Sequence, residues 1–172
     1  MNIFLRVLVG IPLVLILLFV ALLIGARFAD GPLAIVAGGP FTSGELMPAD
    51  EEPDWTFVHD LQEVEFQLLE PARSRTTWIV EVEGKAYIPS GYMTTWWGKI
   101  WKKWPLEAEK DGRILLRVGD KQYLRHLVRI EDGPLIAPIA AEIARKYPSA
   151  STLTPEAVST GYLWLFELAP PG

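Results

Sequence analysis

The feature that most constrains the chain is an uncharged, apolar run near its amino end. Residues 7–26 read VLVGIPLVLILLFVALLIGA and contain no ionisable side chain. A helix rises about 1.5 Å per residue, so a run of this length crosses a hydrocarbon core of about 30 Å. The sequence therefore predicts a transmembrane anchor over residues 1–28, with residues 7–26 in contact with the lipid bilayer.

A cleaved signal peptide is the alternative interpretation of this run. Signal peptides have apolar regions of about 7–15 residues that end in a small-x-small cleavage site. Here Arg27 stands where a small residue is wanted, which favours an uncleaved, single-pass anchor. Arg6 precedes the run in a very short tail, and this favours a cytoplasmic amino terminus. We therefore expect the rest of the chain on the extracytoplasmic side, in the periplasm of a Gram-negative bacterium.

Composition excludes several classes of function. The 172 residues include no cysteine, which excludes disulfides, thiolate metal sites and a thiol nucleophile. Beyond the anchor, 14 Lys and Arg residues stand against 21 Asp and Glu residues, so we expect no nucleic-acid binding and no general attraction to anionic lipid. The familiar hydrolase, zinc-protease and nucleotide-binding motifs are missing, and the catalytic residues stay unknown. A metal site made of His59, Asp60 and His126 is less favoured than structural roles, so no metal is predicted.

After the anchor, the chain divides into an arm and a folded domain. Residues 29–55 are rich in Gly, Pro and Ala, which is typical of a linker or of an arm lying on the domain. Hydrophobic periodicity in the remainder, residues 56–169, predicts strands and two helices. The strands are expected at 63–68, 76–82, 85–89, 113–118, 121–130 and 162–168, and the helices at 94–104 and 135–147. This hairpin order predicts an α+β fold, with a small antiparallel barrel or sandwich and inserted helices.

The predicted helix 94–104 has two chemically distinct faces. Its apolar face is formed by Trp97, Ile100, Trp101 and Trp104. Its basic face is formed by Lys99, Lys102 and Lys103. Pro105 is expected to end the helix. Three interpretations stay open: the tryptophans pack on the barrel, the helix lies at the membrane interface through Trp97, Lys99 and Trp101, or the lysines hold a phosphorylated planar ligand.

A second basic cluster, Arg73-Ser74-Arg75, opens a predicted strand. Its guanidinium groups are suited to bidentate phosphate binding. The alternative is that they form ion pairs with carboxylates of the neighbouring strands, for which the candidates are Glu63, Glu65, Glu70 and Glu81. Both interpretations stay open at this point.

The order of these parts resembles that of a known superfamily. The resemblance rests on RSRTTW at 73–78, the hairpin 82–90, KKWP at 102–105 and the segment 111–123. Together they resemble the FMN-binding split-barrel superfamily, in particular its pyridoxamine-phosphate-oxidase-like proteins and deazaflavin-dependent nitroreductases. The resemblance implies a small antiparallel split β-barrel with FMN or a related flavin as cofactor.

The resemblance also implies which residues bind the cofactor. Carried across position by position, they are Arg73, Arg75, Ser90, Lys102, Lys103 and Trp104. One departure is that the deazaflavin branch usually has an Asn-Leu pair after the tryptophan, where this chain has Pro105-Leu106.

Two functions follow as expectations. The first is a membrane-anchored, flavin-dependent oxidoreductase, with Tyr87, Tyr92 or His126 as proton donor and haem as an alternative chromophore. The second is a non-catalytic interaction or scaffold domain, held at the membrane by the Trp/Lys helix. A homodimer formed through a barrel edge or residues 33–37 is a further alternative. The substrate, the electron donor and any protein partner are not identified by the sequence.

Overall fold

The computed structural model describes residues 3–150 and 152–171, with the side chains of residues 3–7 left out of the description. Its first element is α1 (Ile3–Ala26), a helix of 24 residues with Pro12 inside it. The stretch Leu8–Ala26 has a mean hydropathy of 3.0 and is not buried against the rest of the chain. The helix is thus long and apolar enough to cross a membrane. Arg6, on which the predicted orientation depends, lies outside the described side chains, as do residues 1–2 of the predicted anchor.

The body of the protein is one sheet of eight strands in the described residues. The strands are β1 (Glu45–Leu46), β2 (Glu63–Leu68), β3 (Arg73–Trp78), β4 (Val80–Val82), β5 (Lys85–Ser90), β6 (Arg113–Val118), β7 (Lys121–Ile130) and β8 (Trp164–Ala169). Their order is β3-β2-β6-β7-β8-β5-β4 with every neighbour antiparallel, and β1 adds to β7 in parallel. An α+β fold with an antiparallel sheet is therefore confirmed.

The sheet curls because its two ends are consecutive in the chain. Strands β3 and β4 occupy opposite ends of the strand order, yet only Ile79 separates them. The sequence predicted one continuous strand over 76–82, and this is wrong because two side chains at the carboxyl end of a distant helix take the hydrogen bonds of Ile79. Its N–H donates to the Tyr147 hydroxyl at 3.1 Å, and its carbonyl accepts from Lys146 Nζ at 2.8 Å. The result is a half-barrel.

The two hairpins follow local turn chemistry. Gly84 has a φ of 78° in the β4–β5 turn and Gly119 a φ of 63° in the β6–β7 turn, where glycine has no steric penalty. The strands predicted at 113–118 and 121–130 are confirmed at both bounds.

The core has an inner and an outer part. Inside the half-barrel, Phe66, Leu116 and Phe166 are fully buried. On the outside, α4 (Ile136–Lys146) packs Ile139 and Ile143 against β4, β5 and β8. The predicted amphipathic helix is therefore confirmed. Five short helices complete the described part of the fold: the 3₁₀ turns Trp55–Val58 and Pro148–Ala150, α5 (Pro155–Ser159) and the pair described next.

The predicted helix 94–104 is two helices. The first, α2 (Trp96–Trp101), is capped by Thr95, whose hydroxyl accepts from the Gly98 N–H at 3.1 Å. The second, α3 (Trp104–Ala108), begins at Trp104, which we expected to be the last residue of the predicted helix. Pro105 does not stop a helix here but opens one, because its fixed φ and missing N–H suit the first turn.

Candidate functional site

A large groove lies between the end of α1, the arm, β3 and the α2–α3 segment. Its volume is about 1280 Å³. It is lined by five basic residues, namely Arg27, Arg73, Arg75, Lys102 and Lys103. Its walls are largely apolar and include Phe19, Leu23, Ile35, Tyr92 and Trp101. We call this cavity the basic groove.

The arm forms one wall of the basic groove by lying across β3. The Gly38 N–H donates to the Ser74 carbonyl at 3.0 Å, and the Ser74 hydroxyl donates to the Gly39 carbonyl at 2.6 Å. A Cβ on Gly38 would overlap the Gly31 carbonyl, and one on Gly39 would lie 2.7 Å from the Ala29 carbonyl oxygen. The arm therefore packs so closely on itself and on the residues that follow α1 that side chains are excluded at both glycines.

A partly buried arginine ties the same region to the sheet. Arg117 on β6 contacts Asp30 at 2.9 Å and Glu65 at 2.6 Å. The pKa of Asp30 falls to about 2, first because its carboxylate accepts a hydrogen bond from the Ser43 hydroxyl, then because it accepts one from the Thr42 N–H and faces Arg117. These contacts fix the foot of α1 over β2 and β6.

The two arginines of β3 already have partners within the chain. Arg75 Nη2 lies 3.2 Å from Glu107 Oε2, and Arg73 Nη2 donates to the Ala37 carbonyl at 2.8 Å. Burial lowers the pKa of both guanidinium groups, and for Arg73 the charge of Arg27 lowers it further. The partner carboxylate belongs to α3, so the candidates proposed from the neighbouring strands, Glu63, Glu65, Glu70 and Glu81, are wrong.

The two lysines between α2 and α3 are cations of the groove without a partner in the described residues. Lys102 is half-buried, and this burial lowers its pKa. Its Nζ lies 5.7 Å from the centroid of the Tyr92 ring, and Lys103 is exposed. Among the described residues, neither ammonium group has a carboxylate within 4.0 Å or a hydrogen bond to the protein. Both groups are therefore available to an anion from outside the chain.

Two of the residues implicated by the resemblance, Trp104 and Ser90, are not positioned to contact a ligand in the groove through an exposed side chain. Trp104 borders the groove but is only 7% exposed, because its ring packs in the core 4.9 Å from Phe66 and 5.3 Å from Phe166. Ser90 is buried outside the groove lining, with its hydroxyl 3.5 Å from the Met93 sulfur. Five of the six residues thus line one groove, and Ser90 does not.

Helix α2 turns its tryptophans outward. Trp97 is 42% exposed, and Ile100 and Trp101 are each 65% exposed. The helix packs on the domain through Gly98, which is buried so closely that a Cβ there would overlap the Tyr92 carbonyl oxygen. The interpretation in which the tryptophan face packs on the barrel is therefore confirmed for Trp104 but wrong for Ile100 and Trp101. The predicted interface residue Lys99 is exposed on the same short helix.

The two histidines lie in different places. His59 lies 3.5 Å from Glu81 and 3.7 Å from Glu142, while His126 on β7 lines a second cavity of about 720 Å³. Within residues 3–150 and 152–171, no group of three or more His, Cys, Asp or Glu side chains is arranged to hold a metal ion. The grouping of His59 with His126 is therefore not seen.

No protein-family model matches this sequence, and no curated protein matches it. Sequence reasoning also missed residues that define the groove, above all Glu107 and Arg27. A signal for Glu107 was present, because a proline followed by an acidic residue is typical of a helix start and would have placed Glu107 in the first turn of α3. No local signal indicates that Arg27 lies beside Arg73.

Proposed function

We propose that the chain is a single-pass membrane protein whose half-barrel rests on the bilayer surface through α2, as a non-catalytic membrane-interaction domain. The observation that carries this proposal is the outward exposure of Trp97, Ile100 and Trp101 beside α1. Tryptophan and lysine are the residues enriched at membrane–water interfaces, where the ring meets the headgroup region and the ammonium group meets phosphate.

The position of α2 relative to α1 supports the same conclusion. Trp101 of α2 lines the basic groove together with Phe19 and Leu23 of α1. At about 1.5 Å per residue, Phe19 lies roughly 10 Å along the helix from its last residue. If α1 spans the bilayer, the groove wall reaches the depth of the lipid headgroups and acyl chains. Arg6, which precedes the uncharged run of residues 7–26, supports an extracytoplasmic domain.

Quenching by brominated phospholipids tests the membrane contact. The chain has seven tryptophans, and the full-length protein in bromolipid nanodiscs is expected to lose a large share of its fluorescence. The Trp97→Phe/Trp101→Phe variant is expected to lose a clearly smaller share, because it removes two of the three exposed indole rings of α2. The control is Trp164→Phe, since Trp164 lies under Arg129 at 3.5 Å and away from the groove lining. Equal quenching in all three proteins would contradict the proposal.

Labelling tests the proposed side of the membrane. Because the chain has no cysteine, Val128→Cys would be its single thiol. In intact cells of a Gram-negative host with a permeabilised outer membrane, a maleimide that cannot cross the inner membrane is expected to label it. Labelling only after cell lysis would place the domain in the cytoplasm.

A flavin-binding split barrel is the second candidate, favoured by the convergence of Arg73, Arg75, Lys102 and Lys103 on one groove. The phosphate part of an FMN-type cofactor fits these residues, because the buried Arg73 Nε has no hydrogen-bond partner among the described residues. The ring part fits less well, since Trp104 is a core residue. When bound, the flavin would supply hydride or electron transfer, and the four cations would hold its phosphate.

An absorption spectrum of the full-length protein between about 300 and 600 nm tests this candidate. A flavin band, or saturable binding of added FMN that is weakened in Lys102→Gln/Lys103→Gln, is the expected result. A haem band would contradict flavin as the cofactor and identify haem, the alternative chromophore, in its place. Colourless protein that fails to bind added FMN would contradict the candidate.

A further inference from the structure

The basic groove concentrates positive charge in an acidic protein. The formal net charge of the chain is −5, yet five basic side chains line this one cavity with only two carboxylates. One of these carboxylates, Glu107, is paired with Arg75. Lys102 and Lys103 have no carboxylate partner among the described residues, so the groove has an excess of positive charge that an anion would balance.

Repulsion between two of the basic groups adds to this argument. Arg27, at the foot of α1, lies close enough to Arg73 to lower its pKa by charge repulsion. In addition, the buried Arg73 Nε has no hydrogen-bond partner in the part of the chain that the structure describes. A bound anion would relieve the repulsion and supply the missing acceptor.

The other wall of the groove is apolar and leads to α1. Ile35 stands at the tip of a tight turn closed by paired hydrogen bonds between Leu33 and Val36, at 3.0 and 2.9 Å. Its side chain is 83% exposed, although it lies in the groove lining together with Leu23 of α1. A water-soluble anion would leave this apolar surface exposed, whereas an amphiphile would cover it.

We propose that the basic groove binds an anionic phospholipid of the phosphatidylglycerol type, with the phosphate on Lys102 and Lys103 and an acyl chain along Leu23 and Ile35. This assignment rests on the proposed membrane span of α1, because the lipid enters from the bilayer in which α1 lies. It explains why the cations and the apolar turn share one cavity at the foot of that helix. The lipid is held in place by the same arm that packs on β3.

Native mass spectrometry of the full-length protein, released from micelles containing equal amounts of phosphatidylglycerol and phosphatidylcholine, tests the proposal. We expect retained phosphatidylglycerol to exceed phosphatidylcholine. In Lys102→Gln/Lys103→Gln the affinity for phosphatidylglycerol should fall about thirtyfold, since each basic residue near an anionic lipid contributes about fivefold. Lys102→Arg/Lys103→Arg should keep the preference.

The matched control is Lys110→Gln/Lys121→Gln, which removes the same charge at two exposed positions outside the groove lining. Its lipid preference should equal that of the wild type. Equal retention of the two lipids by the wild type, or an equal loss in the control, would overturn the proposal. Displacement of the lipid by millimolar inorganic phosphate or by FMN would show that the groove takes a soluble phosphate compound, which also overturns it.

Carbonate extraction separates this failure from failure of the proposed function. If the chain stays in the membrane pellet but shows no lipid preference, the lipid assignment is contradicted and the proposed membrane span is not. A chain that is released by carbonate would contradict the membrane span, and the lipid assignment with it.

Discussion

Replacing Asp30 by asparagine probes the contact that fixes the foot of α1 over the sheet. In the wild type, the Asp30 carboxylate accepts hydrogen bonds from Ser43 and Thr42 and pairs with Arg117 at 2.9 Å. Together these contacts lower its pKa from 3.8 to about 2. Asparagine keeps the size of the side chain but removes the charge on which these contacts depend.

The pKa shift sets the magnitude of the expected effect. Lowering the pKa of Asp30 from 3.8 to about 2 corresponds to about 2.4 kcal/mol, at about 1.36 kcal/mol for each tenfold change in the acid dissociation constant. Because the Asp30 side chain is 33% exposed, solvent screening reduces this to about 1 kcal/mol. The folded-state pKa lies below the unfolded value, so the contribution is complete above about pH 5 and is lost as the pH falls towards 2. About half of it should remain at pH 3.

Urea unfolding of the full-length protein in detergent micelles measures this effect. Asp30→Asn should lower the free energy of unfolding by about 1 kcal/mol at pH 7 and by about half as much at pH 3. The control is Asp132→Asn, an exposed carboxylate before α4 with no ion pair among the described residues, which should change little. An equal loss at both pH values, or no loss at pH 7, would refute the assignment of Asp30 to this cluster.

Three further substitutions test other parts of the structure. Trp104→Ala should lower the free energy of unfolding by about 3–5 kcal/mol, measured by urea titration, because the ring fills the core; a loss under about 1 kcal/mol would argue for an open ring wall instead. Gly98→Ala should push α2 off the Tyr92 carbonyl and reduce bromolipid quenching, and unchanged quenching would contradict the packing of α2. Lys146→Met should cost about 2–3 kcal/mol in the same titration, because the carbonyls of Val58 and Ile79 lose their ammonium donor; a neutral effect would contradict that role.

Local sequence signals predicted the parts of the fold that depend on neighbours in the chain. The hairpins at Gly84 and Gly119 are specified by turn residues and alternating strands, and the apolar stripe of α4 by its helical period. The break at Ile79 could not be predicted in this way. It depends on Tyr147, which is 68 residues further along the chain and supplies the hydrogen bonds that a neighbouring strand would otherwise make.

The candidate site shows the same division between local and distant causes. The basic residues of 73–75 and 102–103 could be selected from the sequence, because clustered cations in an acidic chain are informative by themselves. Their arrangement could not, since Glu107 reaches Arg75 only through a helix that Pro105 opens, and Arg27 reaches Arg73 only through the packing of the arm. The outward orientation of the α2 tryptophans depends on the close packing of Gly98 on the domain, and a helical projection does not reveal which face packs.

The depth of α2 in the membrane tests the central claim most directly. Because the chain has no cysteine, a nitroxide at Ile100→Cys can be compared with one at Val128→Cys, an exposed apolar position on β7. In nanodiscs containing phosphatidylglycerol, the label at residue 100 should collide more with oxygen than with a water-soluble nickel chelate, and the label at residue 128 should show the reverse. Water-like accessibility at both positions would contradict a half-barrel that rests on the bilayer through α2.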